Sequence, residues 1–302
     1  MTGIVAYVAP LGIQTILLPW LVAVELQESA DRLGIAQMML QLPGLFLILL
    51  GGLVADRIDA RKILMSLHFL AAIPPAIVAL FLYNGELSYG LLIVYALAMG
   101  CINAFINPPR DGMLNRVAGD QLQRTVTVAM GLTFGAQLIG FSAARMADNV
   151  GVVPLLILQS SILLSGMFVV SRLNPAPPKI VEESRNRFRQ ITRGLAVVWQ
   201  SDTMRPAILM LFCMSFFYGG TFMVLNPLIV RDIYGGSAAE ISLSYSVFVV
   251  GTVTSTVLMV TFGGIRRHGR AMILAVVTAG LSLGISLFEP PFYGYLASIC
   301  GW

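Results

Sequence analysis

Few residues in this chain could carry out catalytic or metal chemistry. Its 302 residues include three cysteines and two histidines. Cys101, Cys213, Cys300 and His68 lie inside apolar runs and His268 lies in a basic segment, with no spacing typical of a metal site or a disulfide framework. No nucleophile beside a base and no phosphate-binding glycine loop is evident in the sequence. The sequence therefore predicts no enzyme activity, no metal and no cofactor.

A dense cluster of charge is the most distinctive polar feature of the sequence. It lies between two apolar runs, 33–55 and 63–85, that carry no formal charge. The charged residues are Asp56, Arg57, Asp59, Arg61 and Lys62. Because a charge at the centre of a bilayer costs about 3 kcal/mol or more, we expect this segment to form a short aqueous loop between two membrane helices.

The composition is that of an integral membrane protein. Hydrophobic residues make up 57% of the chain and charged residues 11%, with a mean hydropathy of +0.83, whereas soluble domains average about 25% charged residues. A soluble α/β protein is the alternative, but its strands would be much shorter than these apolar runs. The net charge of +4 is spread among loops. We therefore predict a lipid bilayer as partner and no nucleic acid.

Nine windows with little or no charge are each about 18 to 25 residues long, which suits helices crossing a hydrocarbon core of about 30 Å. These windows are 3–24, 33–55, 63–84, 88–107, 125–147, 151–171, 206–228, 239–263 and 271–288. A partial tenth begins near Pro291 and reaches only Trp302. We therefore expect the chain to be cut off within a helix.

The basic residues predict the orientation of these spans. When the connecting segments are taken alternately, one set holds 16 of the 19 lysines and arginines, and the other holds only Arg32, Arg145 and Arg231. By the positive-inside rule the first set is cytoplasmic, which predicts a multi-pass protein of a bacterial inner membrane with a cytoplasmic amino terminus.

One long polar segment divides the spans into six before it and at least four after it. We therefore predict three regions: a six-helix bundle at 1–171, a cytoplasmic linker at 172–205 and an incomplete second bundle at 206–302. In the linker, apolar residues at helical spacing oppose arginines: Phe188, Ile191, Leu195, Val198 and Trp199 against Arg187, Arg189 and Arg193. Such an amphipathic helix fits either the membrane surface or the surface of the protein itself.

The charged segment resembles a signature of the major facilitator superfamily, G-x-L-A-D-R-x-G-R-K/R, between the second and third helices. The matching residues are Gly52, Ala55, Asp56, Arg57, Arg61 and Lys62. Asp59 stands where glycine is commonest, and Ala60 replaces the first arginine of the pair. With the segments 18–26, 107–117 and 227–236, this variant is similar to the branch that contains the enterobactin exporter and related efflux proteins.

This resemblance implies an all-α bundle of the major facilitator type, with six helices and part of a second six-helix bundle, truncated before helices 11 and 12. It implies a small-molecule substrate and, on family likeness alone, proton coupling. In the family, the aspartate matched by Asp56 engages basic residues and the amino end of the eleventh helix. Gly52 is expected to allow close helix approach. Gly131, Gly135 and Gly140 fit an antiporter signature loosely, and a close helix contact is the alternative.

Uncharged polar residues inside the spans are the candidates for a substrate path, since amides and phenols suit a neutral or amphipathic substrate. They are Gln14, Gln37, Gln41, Asn103, Asn107, Gln137, Tyr218, Asn226 and Tyr245. Glu25 and Arg145 are charged residues toward the ends of the first and fifth spans. We hypothesise that these two form an ion pair at the outer rim, and the alternative is two separately snorkelling side chains.

Two classes of function remain open from the sequence. The first is a secondary transporter that exports small amphipathic molecules, siderophore-like or drug-like, by alternating access. The second is a truncated or degenerate membrane protein that binds a ligand or has no transport role.

Overall fold

The computed structural model describes residues 2–118, 122–172, 196–197, 199–202, 204–261 and 268–300, and every regular element among them is helical. The helices are α1 (Thr2–Trp20), α2 (Ala30–Arg57), α3 (Ala60–Tyr83), α4 (Tyr89–Ala118), α5 (Leu122–Ala144), α6 (Ala147–Val150), α7 (Val152–Ser171), α8 (Met204–Met214), α9 (Gly220–Asp232), α10 (Ala238–Thr261), α11 (His268–Ser286) and α12 (Phe292–Cys300). Two π-helical turns, Leu21–Glu25 and Ser215–Gly219, extend α1 and join α8 to α9.

Seven helical segments of the described residues are long and apolar enough to cross a membrane. They are Val5–Glu25, Ala60–Tyr83, Tyr89–Leu114, Thr125–Val150, Val152–Ser171, Met204–Asp232 and Ala238–Leu258. The windows predicted at 33–55 and 271–288 and the partial tenth also fall on helices, but these helices are not among the seven. The predicted count of nine spans and a partial tenth is therefore not confirmed.

The fourth predicted span is longer than expected. It was predicted to end at residue 107, yet α4 continues to Ala118 through Pro108 and Pro109. Proline at position 108 cannot donate a backbone hydrogen bond to the carbonyl of Ala104, four residues earlier. Gly51 of α2 packs against that carbonyl, because a Cβ added to Gly51 would lie 2.7 Å from the Ala104 oxygen. Packing by a neighbouring helix thus accommodates the prolines within α4.

The chain groups into two compact units, Met1–Lys179 with Pro227–Val250, and Ile180–Asn226 with Gly251–Trp302. In the first unit α1 packs on α5 and α7, α2 packs on α4, and α3 packs on α4 and α7. In the second unit α11 contacts α12. The predicted division into three regions stays a prediction, and the predicted amphipathic helix at 187–199 lies almost entirely outside the described residues.

Candidate functional site

The charged segment forms a tighter turn than the predicted loop. Helix α2 ends at Arg57 and α3 begins at Ala60, so only two residues lie between them. Asp59 caps α3, and its carboxylate accepts a hydrogen bond of 2.8 Å from the backbone N–H of Arg61. Lys62 is exposed, and the side chain of Asp56 lies outside the described part of the chain. The family role of Asp56 therefore stays a prediction.

The close helix contact expected of Gly52 belongs instead to its neighbour. A Cβ added to Gly52 would meet no heavy atom within 4 Å, whereas one added to Gly51 would meet the backbone of α4. The motif indicates a small residue near this turn, but the direction in which α2 faces its partner decides which glycine is needed.

The polar residues predicted to line a path fall into two groups. Gln14, Gln37, Gln41, Asn103, Asn107, Gln137 and Tyr245 belong to the first unit, and Tyr218 and Asn226 belong to the second. Gln14 on α1 is 2% exposed, and its Oε1 has no hydrogen-bond partner among the described residues. Gln37 and Tyr245 are also buried, whereas Gln41 is exposed. Gln14 is thus a buried, uncharged acceptor that a bound polar molecule could satisfy.

Three of these residues hold helices together. Asn103 accepts a hydrogen bond from the Tyr7 hydroxyl. In the second unit the Tyr218 hydroxyl donates to the carbonyl of Val276 at 3.3 Å, and the Tyr295 hydroxyl donates to Oδ1 of Asn226 at 2.8 Å. These bonds join separate elements, so they connect α1 to α4 and stabilise the packing of the helices within the second unit.

Removing the Tyr295 hydroxyl should destabilise the protein measurably. Tyr295 and Asn226 are 0% and 1% exposed. Tyr295→Phe removes the hydroxyl that donates to Oδ1 of Asn226, and we expect the free energy of unfolding to fall by about 1 to 2 kcal/mol. Tyr293, which is 81% exposed, supplies the matched control, and Tyr293→Phe should change stability by less than about 0.5 kcal/mol. Thermal unfolding of both variants in detergent measures the difference, and equal melting temperatures would contradict this assignment.

The hypothesised ion pair between Glu25 and Arg145 does not form in this structure. Both side chains are exposed. The ion pairs near this end of the first unit join other residues: Arg32 with Glu28 at 2.7 Å, and Arg231 with Asp232. Glu25 lies in the π-helical turn, whereas Arg145 follows α5 just before the helical turn α6. Matching depth in two spans was not sufficient, because the azimuth of each side chain decides whether the two can meet.

Neutralising either charge should therefore have little effect. Glu25→Gln and Arg145→Gln are each expected to change the free energy of unfolding by less than about 0.5 kcal/mol, as for other exposed charges outside a network. Thermal unfolding of the two single variants and the double variant checks this. An interaction energy between the two substitutions above about 1 kcal/mol would contradict the structure and support the ion pair.

A site that the sequence did not predict joins the short helix α6 to the start of α10. The carboxylate of Asp148 accepts hydrogen bonds from the backbone N–H groups of Ala239 at 2.9 Å and Ala238 at 3.4 Å, and also from the Ser237 hydroxyl. The indole of Trp20 donates to the Ser237 hydroxyl oxygen at 3.1 Å. The first N–H groups of a helix lack intrahelical partners and carry partial positive charge, so an aspartate satisfies both requirements.

A second contact near Asp148 has the opposite charges: a positive side chain binds carbonyl oxygens at the end of a helix. Arg231, in the last turn of α9, donates to the carbonyl oxygens of Ala23 at 2.6 Å and Glu28 at 3.3 Å. Ala23 lies in the π-helical turn that extends α1, where carbonyl groups carry partial negative charge. Asp232 binds the same guanidinium through Nε and Nη2 and fixes its orientation. We call Trp20, Asp148, Arg231 and Ser237 together the clasp.

The clasp left one signal in the sequence. Ser237 and Glu240 have the spacing of a capping box, and the Ser237 N–H donates to Glu240 Oε2 at 2.9 Å. This spacing predicts the start of α10. It carries no information on Asp148, which approaches from a position 89 residues away in the chain.

Comparison with known proteins decides the family. The family model described as Major Facilitator Superfamily matches residues 1–302. The chain belongs to the major facilitator superfamily. The resemblance seen in the charged segment is thus confirmed at the level of the superfamily, while the enterobactin-exporter branch and the truncation are not confirmed.

Solved structures agree with this fold. This major facilitator protein matches a point mutant of the nucleoside transporter NupG with a TM-score of 0.74 and 15% identity, over 99% of this chain and 77% of that one. It matches a D-xylose-proton symporter with a TM-score of 0.66 and 12% identity, over 99% and 76%. No curated protein matches it by sequence.

These findings make the chain an integral, multi-pass membrane protein of a transporter family. They also support the prediction that it is not an enzyme.

Proposed function

We propose that this major facilitator protein is a secondary active transporter that exports small, uncharged or amphipathic molecules across a bacterial inner membrane by alternating access. The observation that carries the proposal is the clasp. It joins residues before position 172 to residues after position 226 through two contacts between a charge and a helix end. Each such contact contributes about 1 to 2 kcal/mol, a strength that allows it to form and break within a transport cycle.

The interior polarity supports the substrate class. Gln14 offers a buried acceptor without a fixed charge, and Gln37 and Tyr245 are further buried uncharged groups in the same unit. The solved neighbours are named for a nucleoside and for D-xylose, which are both uncharged molecules rich in hydrogen-bonding groups. Such substrates suit amides and phenols better than charged side chains.

The orientation of the clasp follows from the basic residues. With a cytoplasmic amino terminus, the turns that follow α1 and α5 face the outside of the cell, so the clasp closes the outer end of the path. An exporter then opens the clasp to release substrate. The siderophore-like or drug-like chemistry of the substrate rests on the branch resemblance at 51–62 and on the amphipathic path.

Transport in membrane vesicles tests this proposal. Inverted vesicles that contain the full chain receive an electrochemical proton gradient and one of three probes: Nile red, labelled uridine or labelled D-xylose. We expect gradient-dependent accumulation of the amphipathic dye above empty-vector vesicles, and a loss of at least about fivefold in Asp148→Ala. The same probes are also tested in right-side-out vesicles. Accumulation of uridine or xylose there, with no accumulation in inverted vesicles, would contradict export. If no probe moved in response to the gradient, the result would favour a non-transporting relative.

A further inference from the structure

A groove with a volume of about 360 Å³ lies between α3 and α7 of the first unit. Four residues of each helix line it: Ala76, Ala79, Leu80 and Tyr83 of α3, and Val153, Ile157, Ser160 and Ser161 of α7. Half of these residues are alanine or serine, and their small side chains leave space between the two helices. Both helices are long and apolar enough to cross a membrane. The groove therefore belongs to the membrane-spanning part of the chain.

Hydrogen bonds at the two serines leave the groove an apolar site. The Ser160 hydroxyl donates to the carbonyl oxygen of Ala72 on α3 at 2.6 Å, which ties α7 to α3. The Ser161 hydroxyl donates to the carbonyl oxygen of Ile157 in its own helix at 2.8 Å. Among the described residues that line the groove, none carries a charge. An apolar occupant thus loses no hydrogen bond and meets no unpaired charge.

The groove has the depth of one leaflet of a bilayer. It extends from Tyr83, the last residue of α3, to Ala76, about 10 Å along the helix. On α7 it extends from Val153 to Ser161, about 12 Å. Half of a hydrocarbon core is about 15 Å thick. A membrane helix of a partner protein would cross both leaflets, so the groove is too short to hold one.

The groove is continuous with the surface that faces the lipid. Leu80 and Ile157, one on each helix, are 58% and 53% exposed. Because these apolar side chains lie in membrane-crossing segments, they contact lipid rather than water. Tyr83 is 78% exposed and lies at the end of α3, where tyrosines meet lipid headgroups. A lipid with its headgroup at that level extends its chain along the groove.

We propose that this groove binds one acyl chain of a phospholipid, with the headgroup beside Tyr83 and the chain end near Ala76 and Ser161. With the amino terminus in the cytoplasm, this phospholipid belongs to the outer leaflet. The chain fills the space that the alanine and serine side chains leave, and its methylene groups gain dispersion contacts with both helices. The site does not depend on the proposed transport activity.

Photo-crosslinking from two depths tests this site. The full chain is reconstituted in bilayers that contain a phospholipid with a diazirine either near the start or at the end of one acyl chain. We expect labelling of the groove residues to exceed that of Leu158, an exposed residue of α7 outside the groove, by about threefold to tenfold. The diazirine near the headgroup should label Tyr83 and the one at the chain end should label Ala76. Labelling equal to that of Leu158, or without this order, would overturn the proposal.

Two matched substitutions in α7 separate the groove from the rest of the lipid-facing surface. Ser161 and Ser165 are both exposed, and each hydroxyl bonds to a carbonyl oxygen of α7, but of the two Ser161 alone lines the groove. Ser161→Phe fills the inner end of the groove and should abolish the preferred labelling of Ala76. Ser165→Phe should leave that labelling unchanged. Equal labelling of Ala76 in the two variants would overturn the proposal.

Competition identifies the occupant. An excess of unlabelled phospholipid should remove the preferred labelling of the groove in the wild-type chain. Removal by Nile red, with no removal by phospholipid, would overturn the proposal and assign the groove to a small amphipathic molecule.

Discussion

Gly140→Ala is expected to lower the stability of the protein severely. A Cβ added to Gly140 of α5 would overlap the carbonyl oxygen of Ala9 and lie 2.8 Å from Cα of Gly12 on α1. These are backbone atoms, so the two helices must separate by about 1 Å to make room, at a cost of about 3 kcal/mol. Thermal unfolding and the yield of monodisperse protein in detergent measure the loss.

Two glycines of the same helix supply matched controls. Gly131 and Gly135 have no heavy atom within 4 Å of an added Cβ. Gly131→Ala and Gly135→Ala should therefore leave stability unchanged or raise it by up to about 1 kcal/mol, since alanine favours helix more than glycine. If all three variants melted together, the close contact of α1 with α5 would be disproved. In the structure, the close helix contact that was one interpretation of these three glycines is made by Gly140 alone.

Asp148→Ala is expected to open the clasp. The substitution removes the acceptor of three hydrogen bonds, two of them from backbone N–H groups at the start of α10. Loss of a charged acceptor, discounted because Asp148 is exposed, amounts to about 1 to 2 kcal/mol. Hydrogen exchange at the amides of Ala238 and Ala239 should accelerate by roughly fivefold to thirtyfold.

Two further variants separate the contributions within the clasp. Asp148→Asn keeps an oxygen acceptor and removes the charge, so its exchange rates should fall between those of wild type and Asp148→Ala. The neighbouring exposed residue gives the control, and Asn149→Ala should leave both amides unchanged. Acceleration of equal size in Asn149→Ala would mean that the loop, rather than the carboxylate, protects the start of α10.

More of the fold than of the candidate site could be predicted from the sequence. Long apolar runs predict membrane helices, and the segment 51–62 indicated the superfamily that the family model confirms. The windows missed the extension of α4 through Pro108 and Pro109, because proline ends a helix in water but is tolerated where a neighbouring helix packs on the freed carbonyls.

The missed parts of the site depend on which way each helix faces. Hydropathy gives depth along a helix and says little about azimuth, so Glu25 and Arg145 were paired at equal depth although they do not meet. Asp148 gave no signal, because its partners are backbone N–H groups, which every sequence has. The spacing of Ser237 and Glu240, which is that of a capping box, is the one sequence signal that could have indicated this helix start.

The distance across the clasp shows directly whether the clasp opens and closes. Spin labels at Val150 and Ile233, both exposed, report that distance after Cys101, Cys213 and Cys300 are replaced by serine. We predict two populations in lipid bilayers, a major short distance with the clasp closed and a minor longer one, and growth of the longer population in Asp148→Ala and in Arg231→Ala. A single distribution that neither substitution changes would contradict a clasp that opens and closes, and with it the proposed transport cycle.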